Sequence, residues 1–206
     1  MKSARHEETA TVMRAVEISK FGPPEVLRFC EMPVPGIEEG DVRVRVRAIG
    51  LNFADVFARL GYYPGIPKPP FVPGIEFAGT VESVGKSVKT FRKGDRVFGF
   101  TRQKAYAEYV AVPAALVLRM SRRMSFEEAA AFGVTYLTAY HALITLGQMK
   151  KGESLLLHAA AGGVGTAALQ IAKHLGVRVY ATVGSHSKTQ TAQDLGADVV
   201  INYTEE

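Results

Sequence analysis

Residues 155–165 have the sequence LLLHAAAGGVG, and residues 166–172 continue it as TAALQIA. The three leucines form an apolar run with the length of a buried strand. The small residues after them predict a tight turn, and the Ala-rich segment beyond has helical spacing. A further apolar run at residues 177–182 predicts a parallel strand, so the segment as a whole predicts a βαβ unit.

The turn of this unit has the features of a phosphate-binding loop. Backbone N–H groups at a helix N-terminus attract anions, so the turn can hold the pyrophosphate of a dinucleotide. Gly162 lets the backbone approach the phosphate, and Gly165 lets the helix pack closely on the strand. Ala160 fills the first position of the G-x-G-x-x-G pattern, which makes the match imperfect. An ordinary glycine-rich turn is the alternative. The predicted cofactor-binding residues here are Ala160, Gly162, Gly163, Val164 and Gly165.

Composition indicates an ordinary globular protein. The chain has 206 residues, enough for one large domain or two small ones, with 47% hydrophobic and 22% charged residues. No apolar run in the sequence approaches the roughly 18–20 residues that a membrane span needs. Cys30 is the only cysteine, which excludes an internal disulfide and indicates a reducing compartment, which we expect to be the cytoplasm.

The polar segment at residues 1–12 carries both charge signs and lacks the apolar core of a signal peptide. It predicts a disordered leader. The net charge of +5 is compatible with an anionic cofactor or a nucleic acid, but the charges are scattered along the chain. We therefore expect no nucleic acid partner.

Short strands separated by Gly/Pro turns follow the leader, which favours a barrel or sandwich. Residues 42–47 alternate valine and arginine, which predicts a half-buried antiparallel strand with its arginines outward. A short helix is predicted at residues 52–60. The other strands are predicted at residues 13–18, 27–31, 77–84, 96–100 and 106–112.

The pattern changes at Ser125. Ser125 and Glu128 form a capping box that starts a helix ending near residue 132. A second helix is predicted at residues 135–146, stopped by Gly147. After the βαβ unit, a helix at residues 187–195 and a strand at residues 199–201 complete the prediction.

Four motifs stand in the order and spacing of a known superfamily: residues 50–55 (GLNFAD), 73–76 (PGIE), 93–97 (KGDRV) and 159–165. They resemble the medium-chain dehydrogenase/reductases, and in particular the zinc-independent quinone oxidoreductases related to zeta-crystallin. The resemblance implies an α/β plus β fold. A GroES-like β-barrel domain at residues 13–124 would precede the first half, three strands, of a Rossmann parallel sheet at residues 125–206.

The resemblance also bears on the metal and the substrate. In the zinc enzymes of this superfamily, ligands include a cysteine at the position of Asn52 and a histidine at that of Ile75, so we expect no metal. Asn52 and Tyr63 match positions that line the substrate cleft and can donate hydrogen bonds to a substrate carbonyl. Phe57 replaces a tyrosine that the family often has. Thr138 resembles the family's threonine near the nicotinamide, although a packing role inside its helix is an equal alternative.

NADPH is the predicted cofactor. No acidic residue occurs between Thr166 and Gln193, where an NAD-selective site usually has one. Ser185 can bond a 2′-phosphate and Lys188 can pair with its charge. Tyr203 matches the family position that contacts the same phosphate.

These residues predict an NADPH-dependent oxidoreductase that transfers a hydride to quinones or α,β-unsaturated carbonyls. An enoyl-thioester reductase is an alternative, and a binding protein for single-stranded RNA is an alternative of a different class. We expect a homodimer when the protein is complete. We also expect that the 206-residue chain lacks the second half of the Rossmann sheet, leaves the strand at residues 155–157 at an edge, and by itself is inactive and prone to self-association.

Overall fold

A computed structural model describes residues 11–205, which divide into two compact units after Gly133. The predicted leader lies outside the described residues except for its last two, and Val12 already begins a strand. Our predicted domain boundary at Ser125 lies at the start of the helix within which the two units divide.

Antiparallel strands build the first unit. A hairpin pairs β1 with β2, and a five-stranded sheet has the order β6-β3-β4-β5-β7. The strands are β1 (Val12–Ile18), β2 (Leu27–Pro33), β3 (Asp41–Ile49), β4 (Glu76–Val84), β5 (Arg96–Phe100), β6 (Tyr109–Pro113) and β7 (Val117–Arg119). Short 3-10 turns at Pro24–Val26 and Ala114–Leu116 precede β2 and β7.

The alternation in β3 is confirmed. Val42 and Val44 are fully buried and pack with Phe77 in the core of this unit, while Arg45 is exposed. Arg43 is half-buried, and its Nε donates to a carboxylate oxygen of Glu82 at 2.7 Å. The pattern places the valines inward and the arginines outward, as period-two alternation requires.

The strand predicted at residues 106–112 is shorter than expected. Strand β6 begins at Tyr109, because the residues before it pair with β1 instead. The N–H of Val16 donates to the carbonyl of Tyr106 at 2.8 Å, and the N–H of Glu108 donates to that of Arg14 at 3.1 Å. These bonds join the hairpin to the main sheet.

Two helices predicted near residue 133 are in fact one, and this prediction was wrong. Helix α1 (Phe53–Leu60) agrees with expectation, but α2 (Phe126–Tyr140) runs through Gly133 and continues as a π-helical turn at His141–Leu146. A Cβ at Gly133 would lie 2.5 Å from the Phe100 ring. The glycine therefore permits close packing on β5 and does not end the helix. The capping box at Ser125 is present, with its hydroxyl accepting from the Glu128 N–H at 3.1 Å.

The continuous helical segment Phe126–Leu146 has 21 residues, which is longer than the apolar runs we expected. By length and composition alone it could cross a membrane. Core helices of water-soluble proteins meet the same two criteria. Glu127 and Glu128 occupy its first turn, and Ala129, Ala130 and Ala139 are buried along it.

The second unit contains a parallel sheet, as predicted. Its strands have the order β10-β9-β8, so the second strand lies between the third and the first. The elements are β8 (Ser154–Leu157), α3 (Gly163–Leu175), β9 (Arg178–Val183), α4 (His186–Asp194) and β10 (Val199–Asn202). Leu169 of α3 and Val179 of β9 are fully buried in the core of this unit.

Strand β8 lies at an edge of this sheet among the described residues. Leu155 and Leu157 are half-buried, whereas Leu156 is 59% exposed. The predicted edge position of this leucine run is thus confirmed in the described part of the chain.

Candidate active site

The turn between β8 and α3 presents backbone N–H groups at an open helix end. Gly162 is the N-cap of α3, and its N–H donates to the Ala159 carbonyl at 2.9 Å. The first helical hydrogen bond runs from the N–H of Thr166 to the carbonyl of Gly162 at 2.8 Å. The N–H groups of the intervening residues, Gly163, Val164 and Gly165, therefore have no acceptor within the helix. The first turn carries no acidic residue, so its dipole favours an anion there.

Close packing shapes this turn. A Cβ at Gly165 would lie 2.4 Å from the Ala159 carbonyl oxygen and 2.7 Å from the Ala160 backbone, so only glycine fits without displacement. Ala159 has φ of 53°, which is uncommon for a residue with a side chain. Ala160 is fully buried, and its N–H donates to the Thr182 carbonyl at 3.1 Å. An alanine therefore fits at the first position of the glycine pattern.

His158 also contacts the neighbouring strand. Its Nδ1 lies 3.0 Å from the hydroxyl of Thr182, which is buried in β9. An isolated histidine of this kind is expected to be a packing or surface residue, and the contact is consistent with packing.

The predicted 2′-phosphate residues come from the ends of two adjacent strands. Ser185 is the N-cap of α4, and its carbonyl accepts from the N–H of Lys188 at 3.1 Å. After β10, Tyr203 packs on the end of β9, because a Cβ at Gly184 would lie 2.3 Å from the Tyr203 hydroxyl. Lys188 and Tyr203 are exposed. The first turn of α4 has no acidic residue that would repel a phosphate.

Thr138 lies on α2, where its hydroxyl donates to the Val134 carbonyl at 2.6 Å. That bond uses the donor within the helix and supports the packing alternative. Thr135 was not singled out by the sequence, yet it lies against the turn: a Cβ at Gly163 would be 3.1 Å from the Thr135 methyl carbon. Its separation from the turn in sequence left no signal by which to find it.

In the first unit, Asn52 is held by two carboxylates. It is the N-cap of α1, and its backbone N–H donates to Oδ2 of Asp55 at 2.9 Å. Its side-chain Nδ2 donates to Oε1 of Glu76 at 2.8 Å. Glu76 begins β4 and is only 2% exposed. The predicted amide donor is therefore already engaged through one of its two hydrogens.

A buried acid pair lies beside Asn52. The Tyr106 hydroxyl donates to Oδ2 of Asp55 at 3.3 Å, and Asp55 is 9% exposed. Burial raises the pKa of Asp55, against the lowering effect of the hydrogen bonds it accepts. Burial, followed by the charge of Asp55, raises the pKa of Tyr106. Asp55 belongs to the motif GLNFAD at residues 50–55, but no sequence pattern connects it with Tyr106.

An apolar cavity of about 460 Å³ adjoins these groups. Asn52, Asp55 and Tyr106 supply polar atoms to its wall. Most of its remaining lining residues are apolar, among them Leu51 and Phe53. Such a cavity, apolar with a few polar groups, is typical of small-molecule sites.

Tyr63 is not among the residues that line this cavity. It lies in the loop after α1 and is 44% exposed. Phe57, at the position where the family often has tyrosine, is 42% exposed and stacks edge-on against Phe53 with ring centroids 5.0 Å apart. No hydrogen bond among residues 11–205 joins Tyr63 to Asn52, and a shared role for the two stays a prediction.

Within residues 11–205, no group of three or more His, Cys, Asp or Glu side chains could hold a metal ion. Asn52 and Ile75 occupy the positions expected for zinc ligands. Zinc independence stays a prediction.

Comparison with known families gives two matches. Residues 38–122 match the alcohol dehydrogenase GroES-like domain, and residues 163–206 match the zinc-binding dehydrogenase family.

Individual relatives agree with these matches. The quinone oxidoreductase of Lama guanicoe is 41% identical over 95% of this chain and 60% of its own length. The Escherichia coli quinone oxidoreductase complexed with NADPH is 40% identical, with a TM-score of 0.86 over 94% of this chain and 59% of the other. The CurK enoyl reductase is 33% identical, with a TM-score of 0.87 over 94% of this chain and 60% of the other.

This chain thus spans about 60% of the length of the relatives it matches. The matches cover both units and agree with the antiparallel and parallel sheets described above. The chain belongs to the medium-chain dehydrogenase/reductase superfamily, with a GroES-like domain followed by part of a Rossmann sheet, and it is similar to quinone oxidoreductases.

Proposed function

We propose that the whole protein is an NADPH-dependent oxidoreductase that transfers a hydride to quinones or α,β-unsaturated carbonyls without zinc. The observation that carries this proposal is Asn52, fixed by Glu76 and Asp55 at the place where zinc relatives have a cysteine ligand. An amide N–H can polarise a substrate carbonyl where no metal does so. The similarity to quinone oxidoreductases supports the same assignment.

The cofactor side of the proposal rests on the second unit. The open N–H groups at the start of α3 fit the pyrophosphate of a dinucleotide. Ser185, Lys188 and Tyr203 supply two hydroxyls and a positive charge at the ends of β9 and β10, which suits the 2′-phosphate of NADPH. When bound, the nicotinamide supplies the hydride. The role of this chain is to bind and orient the cofactor.

A direct assay tests the function. The full-length protein, treated with a chelator, is expected to oxidise NADPH in the presence of a 1,4-naphthoquinone and to do so more slowly with NADH. Elemental analysis of the same sample is expected to show no stoichiometric zinc. Quinone-dependent oxidation that disappears with the chelator and returns with added zinc would contradict the proposal.

Reduction of an enoyl thioester is a second candidate, and the buried Asp55–Tyr106 pair favours it. Such a substrate must receive a proton at carbon as well as a hydride, whereas a reduced quinone can take its proton from solvent. The Tyr106 hydroxyl lies against Asp55, close to the Asn52 backbone, and is the candidate proton donor for this step. The fold similarity to the CurK enoyl reductase agrees with this candidate. Turnover of crotonyl thioesters against quinones under matched conditions separates the two substrates.

A nucleic-acid-binding role receives less support from the arginines of β3. Arg43 is paired with Glu82, and Arg47 lies over the Phe126 ring at 5.9 Å. Because of these contacts, fewer of the arginine side chains of β3 are available to bind a phosphate backbone. Salt-dependent retention of single-stranded RNA is therefore expected to be weak. A homodimer and a cytoplasmic location stay predictions, to be tested by sedimentation and by fractionation.

A further inference from the structure

Glu76 is the most deeply buried carboxylate in the described part of the chain, at 2% exposure. Burying an ionised carboxylate is costly unless hydrogen bonds compensate for the lost water. Its Oε1 accepts the Asn52 Nδ2 hydrogen at 2.8 Å. A carboxyl group in so enclosed a position, bonded to the residue proposed to touch the substrate, requires an explanation beyond folding.

The surroundings of Glu76 prevent its carboxylate from turning away. A Cβ at Gly50 would lie 2.2 Å from Oε1 and 2.3 Å from the Ala130 carbonyl oxygen. A Cβ at Gly133 would lie 3.2 Å from Oε2. The N–H of Gly50 also donates to the backbone carbonyl of Glu76 at 3.3 Å. The carboxylate therefore occupies a slot between glycine backbones where a side chain would displace it.

This slot dictates how the Asn52 amide is turned. An ionised carboxylate only accepts hydrogen bonds, whereas an amide has a donor end and an acceptor end. The donor end of Asn52 therefore faces Glu76, and its oxygen faces the Asp55 N–H in the capping box of α1, which leaves one Nδ2 hydrogen for another partner. The backbone of Asn52 is fixed separately by its bond to Asp55 at 2.9 Å. Glu76 thus holds the donor end of the Asn52 side chain, while Asp55 holds the backbone and the oxygen end.

We propose that Glu76 is a positioning residue that holds the Asn52 amide in the one orientation that presents its second Nδ2 hydrogen to the substrate carbonyl. This inference rests on the proposed function, in which Asn52 contacts that carbonyl. The bond between Asn52 and Glu76 is short, at 2.8 Å, and it lies in an enclosed site, where hydrogen bonds are stronger than in water.

The test substitution is Glu76→Gln, which keeps the shape and volume of the side chain. A glutamine amide can accept from Nδ2 or donate to Oδ1, so both orientations of Asn52 become available. In the full-length protein we expect kcat with a quinone to fall about tenfold, as for the loss of one hydrogen bond in an enclosed site. The Kd for NADPH and the KM for quinone are expected to change little. The matched control is Glu82→Gln, a carboxylate on the same strand that pairs with Arg43, and we expect it to leave kcat unchanged.

A second readout does not depend on activity. In the nitrogen-15 NMR spectrum, the Asn52 side-chain amide is identified by its loss in Asn52→Ala. In the unsubstituted protein we expect its two hydrogens to be strongly inequivalent, with one shifted downfield by the carboxylate. That inequivalence is expected to shrink in Glu76→Gln and to persist in Glu82→Gln. Two amide signals separated only by the difference normal for a solvent-exposed asparagine, in the unsubstituted protein, would overturn the inference even if Glu76→Gln failed to fold.

The kinetic outcomes separate this inference from the proposed function. If kcat falls in Asn52→Ala but not in Glu76→Gln, Glu76 is not a positioning residue. If kcat is unchanged in both variants, the proposed role of Asn52 fails as well. A fall in both, with the change in the Asn52 amide signal, is the expected result.

Discussion

The two units bind their proposed ligands with different parts of the chain. In the first unit the polar groups are side chains, and Asn52 is locked by the buried carboxylates of Glu76 and Asp55. In the second unit the polar groups at the turn are backbone N–H groups, for which the first turn of α3 has no internal acceptor. The first site should therefore be sensitive to side-chain chemistry, and the second to any added atom that moves the backbone.

The largest effect is expected from Gly165→Ala, which tests the backbone site. The new Cβ would lie 2.4 Å from the Ala159 carbonyl oxygen, so the helix and turn must separate. Overpacking of this kind costs about 1–3 kcal/mol, and we expect both the melting temperature and the affinity for NADPH to fall. Gly36→Ala is the control, because no atom lies within 4 Å of its Cβ. An unchanged Kd for NADPH in Gly165→Ala, measured by fluorescence titration, would remove the turn from the cofactor site.

Charge reversal at Lys188 sharpens the comparison by testing a side chain in the second unit. In Lys188→Glu we expect NADPH to bind at least about tenfold more weakly, because a carboxylate would face the 2′-phosphate, while NADH changes little. Isothermal titration with both cofactors measures the difference. Lys20→Glu makes the same charge change at an exposed position of the first unit and serves as the control. Equal losses for both cofactors would show that Lys188 does not select the phosphate.

Tyr63→Phe should have a smaller effect, because it removes one neutral hydroxyl from an exposed loop. A lost hydrogen bond between neutral groups costs about 0.5–1.5 kcal/mol. We therefore expect kcat with a quinone to fall a few-fold, and by no more than about tenfold. The adjacent Tyr62, which is 74% exposed, provides the control substitution Tyr62→Phe. Identical kcat values for the two variants would assign Tyr63 to the surface of the loop.

The smallest effect concerns pH and Asp55. Burial raises the pKa of this carboxyl in the folded state above its ordinary value of 3.8. As pH rises above 3.8, the unfolded chain releases its proton first, so the contribution of Asp55 to stability falls until pH passes the folded pKa. In Asp55→Asn, the free energy of unfolding should therefore fall less steeply as pH rises through this range. Urea denaturation at several pH values measures that slope in both proteins. A decline of the same slope in the variant would show that other groups cause it.

Local patterns predicted the fold well. The leucine run and the small residues after it predicted β8 and α3, and the valine–arginine alternation predicted β3 with its inward and outward faces. These signals act over a few residues, where periodicity and capping determine structure. Gly133 was misleading because a glycine near a predicted helix end can either stop the helix or permit close packing within it. Only the Phe100 ring, which lies against Gly133 in the folded structure, shows that the second explanation holds here.

The candidate site was harder to predict because its contacts join distant residues. The sequence pointed to Asn52, but Glu76 lies 24 residues away and its bond to Asn52 depends on how β4 pairs with β3. Tyr106 lies 51 residues from Asp55 and reaches it through the loop between β5 and β6. No local pattern indicates such pairs. For Thr138 the contact is local instead, because its hydroxyl donates to a carbonyl of its own helix.

The most direct test of the account is Asn52→Ala in the full-length protein, with NADPH affinity and quinone turnover measured on the same sample. Removing a polarising donor in a buried network costs about 1–3 kcal/mol, which corresponds to a fall in kcat of about five- to 150-fold. We predict that fall together with an unchanged Kd for NADPH, because the proposed cofactor site lies in the other unit. Unchanged turnover, or parallel losses of turnover and NADPH affinity, would contradict the account.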